Sequence, residues 1–289
     1  MRRIVCLILA CLLPGLCSCR RRAVQDKARL TVICLDVGQG DATLLQTAKG
    51  ENVLIDTGPE SAEENLASRL RSLGVEKISL LVLTHPDEDH IGGADRILNG
   101  FAVDRVWING VWAENGEESY QRLLSALHRS SATVEKVAAG QAYVAEEFLL
   151  TVLYPLPDTE VLPGNDGSIV MRLQCGSVGM LFMGDAEETA ERELLKTYPY
   201  GHLDVQILHA GHHGGDTSST ADFLDAVRPD TVLISCGEAN RFGHPDGRTL
   251  ARFRERDCKV YRTDRQGEIT IRLDGENAAV SVREKREGE

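Results

Sequence analysis

Aromatic side chains are scarce in this chain, at 5% of 289 residues, and Trp107 and Trp112 are its only tryptophans. So few rings leave little for an extended base-stacking platform, and both tryptophans are expected in the core or at its rim. Paired cysteine is missing too. Four of eight cysteines (Cys6, Cys11, Cys17, Cys19) sit near the N-terminus, and Cys34, Cys175, Cys236 and Cys258 show no C-x-x-C or C-x-x-H spacing. That argues against a disulfide framework or a thiolate zinc site, and three of these four, in strand-like apolar runs, are expected as small buried apolar groups. Positive charge is in deficit. A net charge of -12 argues against general coating of nucleic acid, although it leaves room for a local basic groove. Past the N-terminus no apolar run is long enough to span a bilayer, and there is no short-period repeat or low-complexity block.

The first residues differ from the rest. Arg2 and Arg3 precede an apolar run at 4–16, too short for a comfortable span, which reads as a secretory signal. Leu16-Cys17-Ser18-Cys19 resembles a bacterial lipobox with lipid on the Cys19 thiol, although Cys17 stands where a small residue is usual. The alternative is an uncleaved signal anchor, and either places the body outside the cytoplasmic membrane. The expected organisation is a signal peptide of the lipoprotein type at 1–18, a polar linker at 19–29 and one domain at 30–289.

Within that domain strand and helix signals alternate. Strands are expected at 30–36, 42–47, 52–56, 78–83, 103–108, 148–154, 169–174, 180–183, 205–209, 231–235, 269–273 and 279–282, with a short one at 260. Helices are expected at 62–73, 94–98, 117–129, 186–197, 219–227 and 250–256. The pattern fits two sheets packed together with helices outside, an αββα sandwich, although a single doubly wound sheet has nearly the same signature.

The densest chemistry lies in Thr84-His85-Pro86-Asp87-Glu88-Asp89-His90-Ile91-Gly92-Gly93, directly after an apolar strand. A strand end that delivers His85, Asp87, Asp89 and His90 into one tight turn suits a divalent metal. An acidic loop opening a helix would have similar composition. Four further strand ends place polar residues beside glycine: Asp56-Thr57-Gly58, Gly184-Asp185-Ala186, Gly211-His212-His213-Gly214-Gly215, and the loop Gly243-His244-Pro245. Each alone is an ordinary turn; together they describe a site at one edge of a layered fold.

With these motifs the chain resembles the metallo-β-lactamase-like hydrolase superfamily over nearly its whole mature length. His85, Asp89 and His90 match its metal loop, and Asp87 replaces a histidine. Asp185 matches the bridging aspartate, and His212 or His213 the last histidine. Asn165 or Asp166, in Gly164-Asn165-Asp166-Gly167-Ser168, lies near the place of a further family histidine. Asp36-Val37-Gly38-Gln39-Gly40-Asp41-Ala42 and Asn240-Arg241-Phe242-Gly243-His244-Pro245 narrow the resemblance to the hydrolase domain attached to the DNA-uptake channel of competent bacteria, and to its free-standing relatives. The resemblance implies a phosphodiesterase or nuclease acting on DNA, with a membrane uptake channel as a partner. Other ester, lactone or amide hydrolysis, and a non-catalytic DNA-binding module, are the competing classes.

Asp89, His90, Asp185 and a C-terminal histidine would hold one ion. His85, Asp87 and the Asn165 region would hold a weaker second. Oxygen in place of nitrogen favours Mn²⁺ or Mg²⁺ over Zn²⁺, although a dinuclear zinc site is the alternative. Water on such an ion would be the nucleophile. Asp41 and Ser168 are candidates to orient water or substrate, and His244 to give a proton or contact the substrate. Arg248, Arg252 and Arg256 recur at four-residue spacing and would form one helical stripe for phosphates, or simply a solvated face. The leader makes the first testable claim: Cys19→Ala should abolish incorporation of a labelled fatty acid and release the protein from the membrane. A wild type that takes up no label would reduce Cys19 to part of a signal or anchor.

Overall fold

Residues 30–35 show how the strands are built, because their alternating sides serve two different cores. Leu30, Val32 and Cys34 join one apolar cluster, while Ile33 and Leu35 join another on the opposite face. Leu80 and Val82 against Leu81 and Leu83 repeat the division, as do Met180 and Phe182 against Leu181 and Met183. A strand buried on both faces must lie inside a layered fold. The computed structural model describes residues 28–111 and 118–283. The expected signal peptide, lipobox and most of the linker lie outside the described residues, as does Trp112.

The strands in chain order are β1 (Leu30–Cys34), β2 (Thr43–Thr47), β3 (Asn52–Ile55), β4 (Lys77–Ile78), β5 (Leu80–Leu83), β6 (Ala102–Val103), β7 (Arg105–Ile108), β8 (Thr133–Lys136) and β9 (Ala142–Val144). They continue as β10 (Leu149–Tyr154), β11 (Val170–Cys175), β12 (Val178–Phe182), β13 (Ile207–His209), β14 (Thr231–Ile234), β15 (Lys259–Arg262), β16 (Ile269–Leu273) and β17 (Ala278–Val282). One sheet runs β17-β16-β1-β2-β3-β5-β7-β8 and the other β15-β14-β13-β12-β11-β10-β9. A cluster containing Leu45, Val82, Trp107, Val152, Met171 and Phe182 fills the space between them. Helices α1 (Glu63–Ser72), α2 (Glu88–Ile91), α3 (Ala94–Gly100) and α4 (Glu118–Arg129) come from the first half of the chain. Helices α5 (Glu188–Thr197), α6 (Ala221–Val227), α7 (Gly247–Glu255) and α8 (Thr263–Gln266) come from the second. Apolar side chains of α1, α3 and α4 cover the outer face of the first sheet; those of α5, α6 and α7 cover the second. This is the αββα sandwich, and the single doubly wound sheet is excluded.

Each sheet changes from antiparallel to parallel pairing at one strand. β2 meets β3 antiparallel, and β3 meets β5 parallel; β11 meets β12 antiparallel, and β12 meets β13 parallel. The residues after these strands are Asp56, the His85 loop, Asp185 and the His212-His213 turn. Two switch points therefore face one another at the same edge, where open α/β sheets form sites.

Local chemistry explains the element ends. Helix α1 carries Glu63 and Glu64 in its first turn and Arg69 and Arg71 in its last, matching the helix dipole. It stops at Gly74, whose φ is 77°. Helix α7 starts earlier than the expected residue 250 because Asp246 Oδ1 accepts the Arg248 N–H at 2.7 Å. The expected strand at 78–83 divides into β4, which pairs with β6 in a small separate sheet, and β5. Strands β8 and β9, not expected, are sheet edges whose side chains are mostly exposed, so no apolar alternation marked them. Cys34, Cys175 and Cys236 are buried free thiols as expected, and Cys258 is half-buried.

The loop 36–42 passes close under the metal loop. The Asp41 N–H donates to the Asp89 carbonyl at 3.1 Å, and a Cβ on Gly40 would stand 2.3 Å from that oxygen. Gly40 has φ 141° and Gly38 has φ 76° with open space around it. Gly40→Ala should therefore cost about 2–4 kcal/mol in urea unfolding, the sum of strain and a forced shift of the Asp89 segment. Gly38→Ala should cost only about 1 kcal/mol. Equal losses would show that the close approach does not matter.

Candidate metal centre

Four ligating atoms, one each from Asp41, His90, Asp185 and His213, lie within 4.8 Å of one another, and all four residues are buried. Two carboxylates and two imidazoles are an ordinary set for one divalent ion. The local pairing shows how each is aimed. The carboxylate of Asp56, at the end of β3, accepts the Thr84 N–H at 2.8 Å, the Thr84 hydroxyl at 2.7 Å and His90 Nδ1 at 2.8 Å. Thr84 Oγ1, its proton directed to Asp56, lies 3.2 Å from His85 Nδ1 as an acceptor. The Ser235 carbonyl accepts from His213 Nδ1 at 3.0 Å. A proton on each Nδ1 leaves the Nε2 lone pairs of His85, His90 and His213 free to face the centre, the usual orientation of ligating histidine.

Among the described residues Asp41 Oδ1, His85 Nε2, His90 Nε2 and Asp185 Oδ1 are buried without a hydrogen-bond partner. His90 Nε2 approaches Asp185 Oδ1 to 3.1 Å as an ion pair, without the alignment of a hydrogen bond. Leaving four such groups unsatisfied at one point costs several kcal/mol in most proteins, so it calls for a cation. The residues present fit a divalent metal.

Electrostatics follow from the crowding. Burial favours the uncharged His90 imidazole, but the carboxylates of Asp185 and Asp56 outweigh it and hold His90 well above its ordinary value. For His213, burial is likewise overcome by Asp185 and by the hydrogen bond it donates to Asp89, leaving it at about 9. Burial works against the Asp185 carboxylate, yet His213 and His90 keep it well below the ordinary range. His85 goes the other way, to about 4, because burial and the neighbouring His90 both disfavour its charge.

The remaining site residues divide. Asp89 Oδ2 lies 3.2 Å from His213 Nε2 and is about one-quarter exposed, so it flanks the four-atom group while Asp41 occupies a place in it. His85 Nε2 lies 3.8 Å from both Asp87 Oδ2 and Asp185 Oδ2, forming an adjoining oxygen-rich corner. The expected alternative at 212–213 is resolved in space: His213 turns inward, and His212 turns to Glu187, with Nδ1 at 2.7 Å from Oε1. Both take left-handed backbone angles, φ 47° and 53°. Asn165 Nδ2 lies 3.3 Å from His212 Nε2 and 3.2 Å from Glu187 Oε1. Asp166 instead accepts the N–H groups of Glu187 and Ala190 at the start of α5. Ser168 is fully buried, and its hydroxyl accepts the Asp185 N–H at 3.0 Å, which ties it to the segment that carries that carboxylate.

His244 sits 4.9 Å from the His212 ring, and burial, then His212 and His213, lower its pKa, so it meets the site as a neutral group. The arginine stripe is not three equivalent cations. Arg248 is exposed beside Asp216 and Asp246, whereas Arg252 donates to the Asp216 and Ser218 carbonyls and Arg256 to Asp225 and the Ala221 carbonyl. Two residues outside the expected site matter: Asp56, flagged only by its strand-end Asp-Thr-Gly, and Glu187, which no motif marked.

A family profile described as the metallo-beta-lactamase superfamily matches residues 35–238. The chain is 30% identical to ComE operon protein 3 of Bacillus subtilis (strain 168), covering 86% of this chain and 34% of that protein. It is 33% identical to Competence protein ComA of Neisseria gonorrhoeae, covering 91% of this chain and 35% of that protein. The chain thus spans about a third of the length of these curated relatives. Among solved structures, the metallo-beta-lactamase fold protein YhfI from Bacillus subtilis aligns with 81% of this chain and 96% of its own, at 12% identity and a TM-score of 0.48.

A pH dependence follows from His213. Its folded value of about 9 lies above the ordinary 6.5, so its ion pairs stabilise the metal-free protein fully below pH 6.5. That stability is lost as pH rises through 9. The melting temperature of chelated protein should fall across this interval, while protein saturated with Mn²⁺, in which the cation takes the proton's place, should not follow it. A flat profile for chelated protein would show that His213 is not charged in the fold.

Proposed function

The chain belongs to the metallo-beta-lactamase superfamily, and on that premise we propose that it is a metal-dependent phosphodiesterase acting on DNA outside the cytoplasmic membrane. The observation that carries the reading is the buried group of two carboxylates and two imidazoles, in which Asp41 Oδ1, His90 Nε2 and Asp185 Oδ1 have no hydrogen-bond partner. The names of its relatives, a ComE operon protein and a competence protein, support DNA uptake as the setting. Among the described residues no helix is long and apolar enough to cross a membrane, and attachment is assigned to lipid on Cys19. A membrane uptake channel is the partner this reading supplies.

Asp41, His90, Asp185 and His213 would hold the tighter ion, and His85 and Asp87 beside Asp185 would offer a weaker second position. A divalent ion here supplies a Lewis acid toward phosphate oxygens and lowers the proton affinity of water. Asp56 and Ser168 keep His90 and Asp185 in place. Asp89, partly exposed and with Oδ2 3.2 Å from His213 Nε2, is the candidate to take a proton from an approaching water. Asn165, His212 and His244 are the candidates to meet the substrate with hydrogen-bonding groups. Arg248, exposed at the start of α7, is assigned to the DNA backbone, while Arg252 and Arg256 hold α7 against the chain at 216–225.

Chelation should abolish cleavage of single-stranded DNA, and Mn²⁺ should restore it better than Zn²⁺ because oxygen ligands predominate at the weaker position. Asp185→Ala should lower turnover at least about a hundredfold with little change in fold. Arg248→Ala should weaken DNA binding for every sequence and flatten its salt dependence by roughly one unit. Undiminished cleavage by Asp185→Ala would place the chemistry elsewhere.

A further inference from the structure

A series of rings leads outward from the metal centre. His213 lies 6.3 Å from His244 at an interplanar angle of 31°, and His244 lies 5.9 Å from Phe242 at 27°. Phe242 ends the series in solvent, 53% exposed, with the Arg241 guanidinium 4.8 Å from its centroid. The loop that presents it is tied from within. Asn240 Oδ1 accepts the His244 N–H at 3.0 Å, and its Nδ2 donates to the Gly237 carbonyl at 2.9 Å and the His244 carbonyl at 2.6 Å. Gly243, with φ 74°, closes the turn. Single exposed apolar side chains are normal on protein surfaces. What distinguishes this one is its place: an aromatic-poor chain holds a half-exposed ring on a hydrogen-bonded loop, next to His244 and beside a cation.

We propose that Phe242 and Arg241 form a nucleobase subsite, stacking one unpaired base of a single strand while the adjoining phosphodiester lies at the metal centre. This rests on the phosphodiesterase reading and adds the part of the substrate that is recognised. Every base has a π-face, so the subsite accepts any sequence, and the guanidinium adds a cation to the stack. A pre-set loop loses little freedom when the base arrives. An acidic protein gains little from general attraction to phosphate, which leaves more of the binding to such a contact. Bases inside a duplex already stack on one another, so the subsite favours single strands and frayed ends.

The test compares two ten-residue oligonucleotides, one of thymidine and one of the same length with abasic sugars throughout. Affinities are read by fluorescence anisotropy on the full chain with chelator present, so that no cleavage intervenes. Wild type should prefer the base-bearing strand about tenfold, the size of one base–aromatic stack. Phe242→Leu, which keeps apolar bulk, should bind both strands alike, and Phe242→Trp should keep or increase the preference. A preference that survives in Phe242→Leu, or a wild type that does not distinguish the strands, overturns the subsite. If wild type cleaves DNA with Mn²⁺ yet shows either result, the phosphodiesterase reading stands and only the subsite falls. If it neither cleaves DNA nor binds the thymidine strand, both fall.

Discussion

The Asp185 carboxylate is the point on which the candidate metal centre turns. It is buried between the imidazoles of His90 and His213, which come from opposite sheets, so the attraction among these groups joins the two halves of the chain at one edge. Burial alone makes every one of these charges costly, and the arrangement is stable only because opposite charges meet there. A divalent cation satisfies the same groups better than protons do, because it answers all the lone pairs at once. Held rigidly by Asp56, Ser168 and the Ser235 carbonyl, the ligands have little freedom to relax when the ion changes.

Around that point the fold separates support from access. Strand ends carry the ligands, since strands packed on both faces move least. Access is left to the segments between strands: Asp87 and Asp89 at the start of α2, and the turns that carry Asn165, His212 and His244. The paired left-handed residues His212 and His213 show the division in one turn, sending one ring into the centre and the other to Glu187. Strain of this kind survives where the surroundings over-determine it.

Much of this was legible in the residues. Apolar runs ending in polar residues beside glycine located the loops at His85, Asp185 and His212-His213, because both strand burial and tight turns leave compositional traces. The contacts between distant segments left none. Asp41 reads as an orienting residue until the 36–42 loop is seen to pair with the Asp89 carbonyl, and Glu187 has no mark without its partner His212. Adjacent histidines could not be told apart because only backbone angles distinguish them. The arginine spacing on α7 was correct, but Asp216 and Asp225, which occupy Arg252 and Arg256, come from other elements. Edge strands β8 and β9 lacked alternation because little of them is buried.

Together Asp41, His90, Asp185 and His213 are the candidate ligands of one divalent ion. Equilibrium dialysis against Mn²⁺ tests this most directly, comparing wild type with Asp185→Asn, which keeps shape but removes the charge between the two imidazoles. The account predicts one tightly held ion per chain in wild type and its loss in the variant while the fold persists by circular dichroism. The same tightly held ion in both proteins would contradict it.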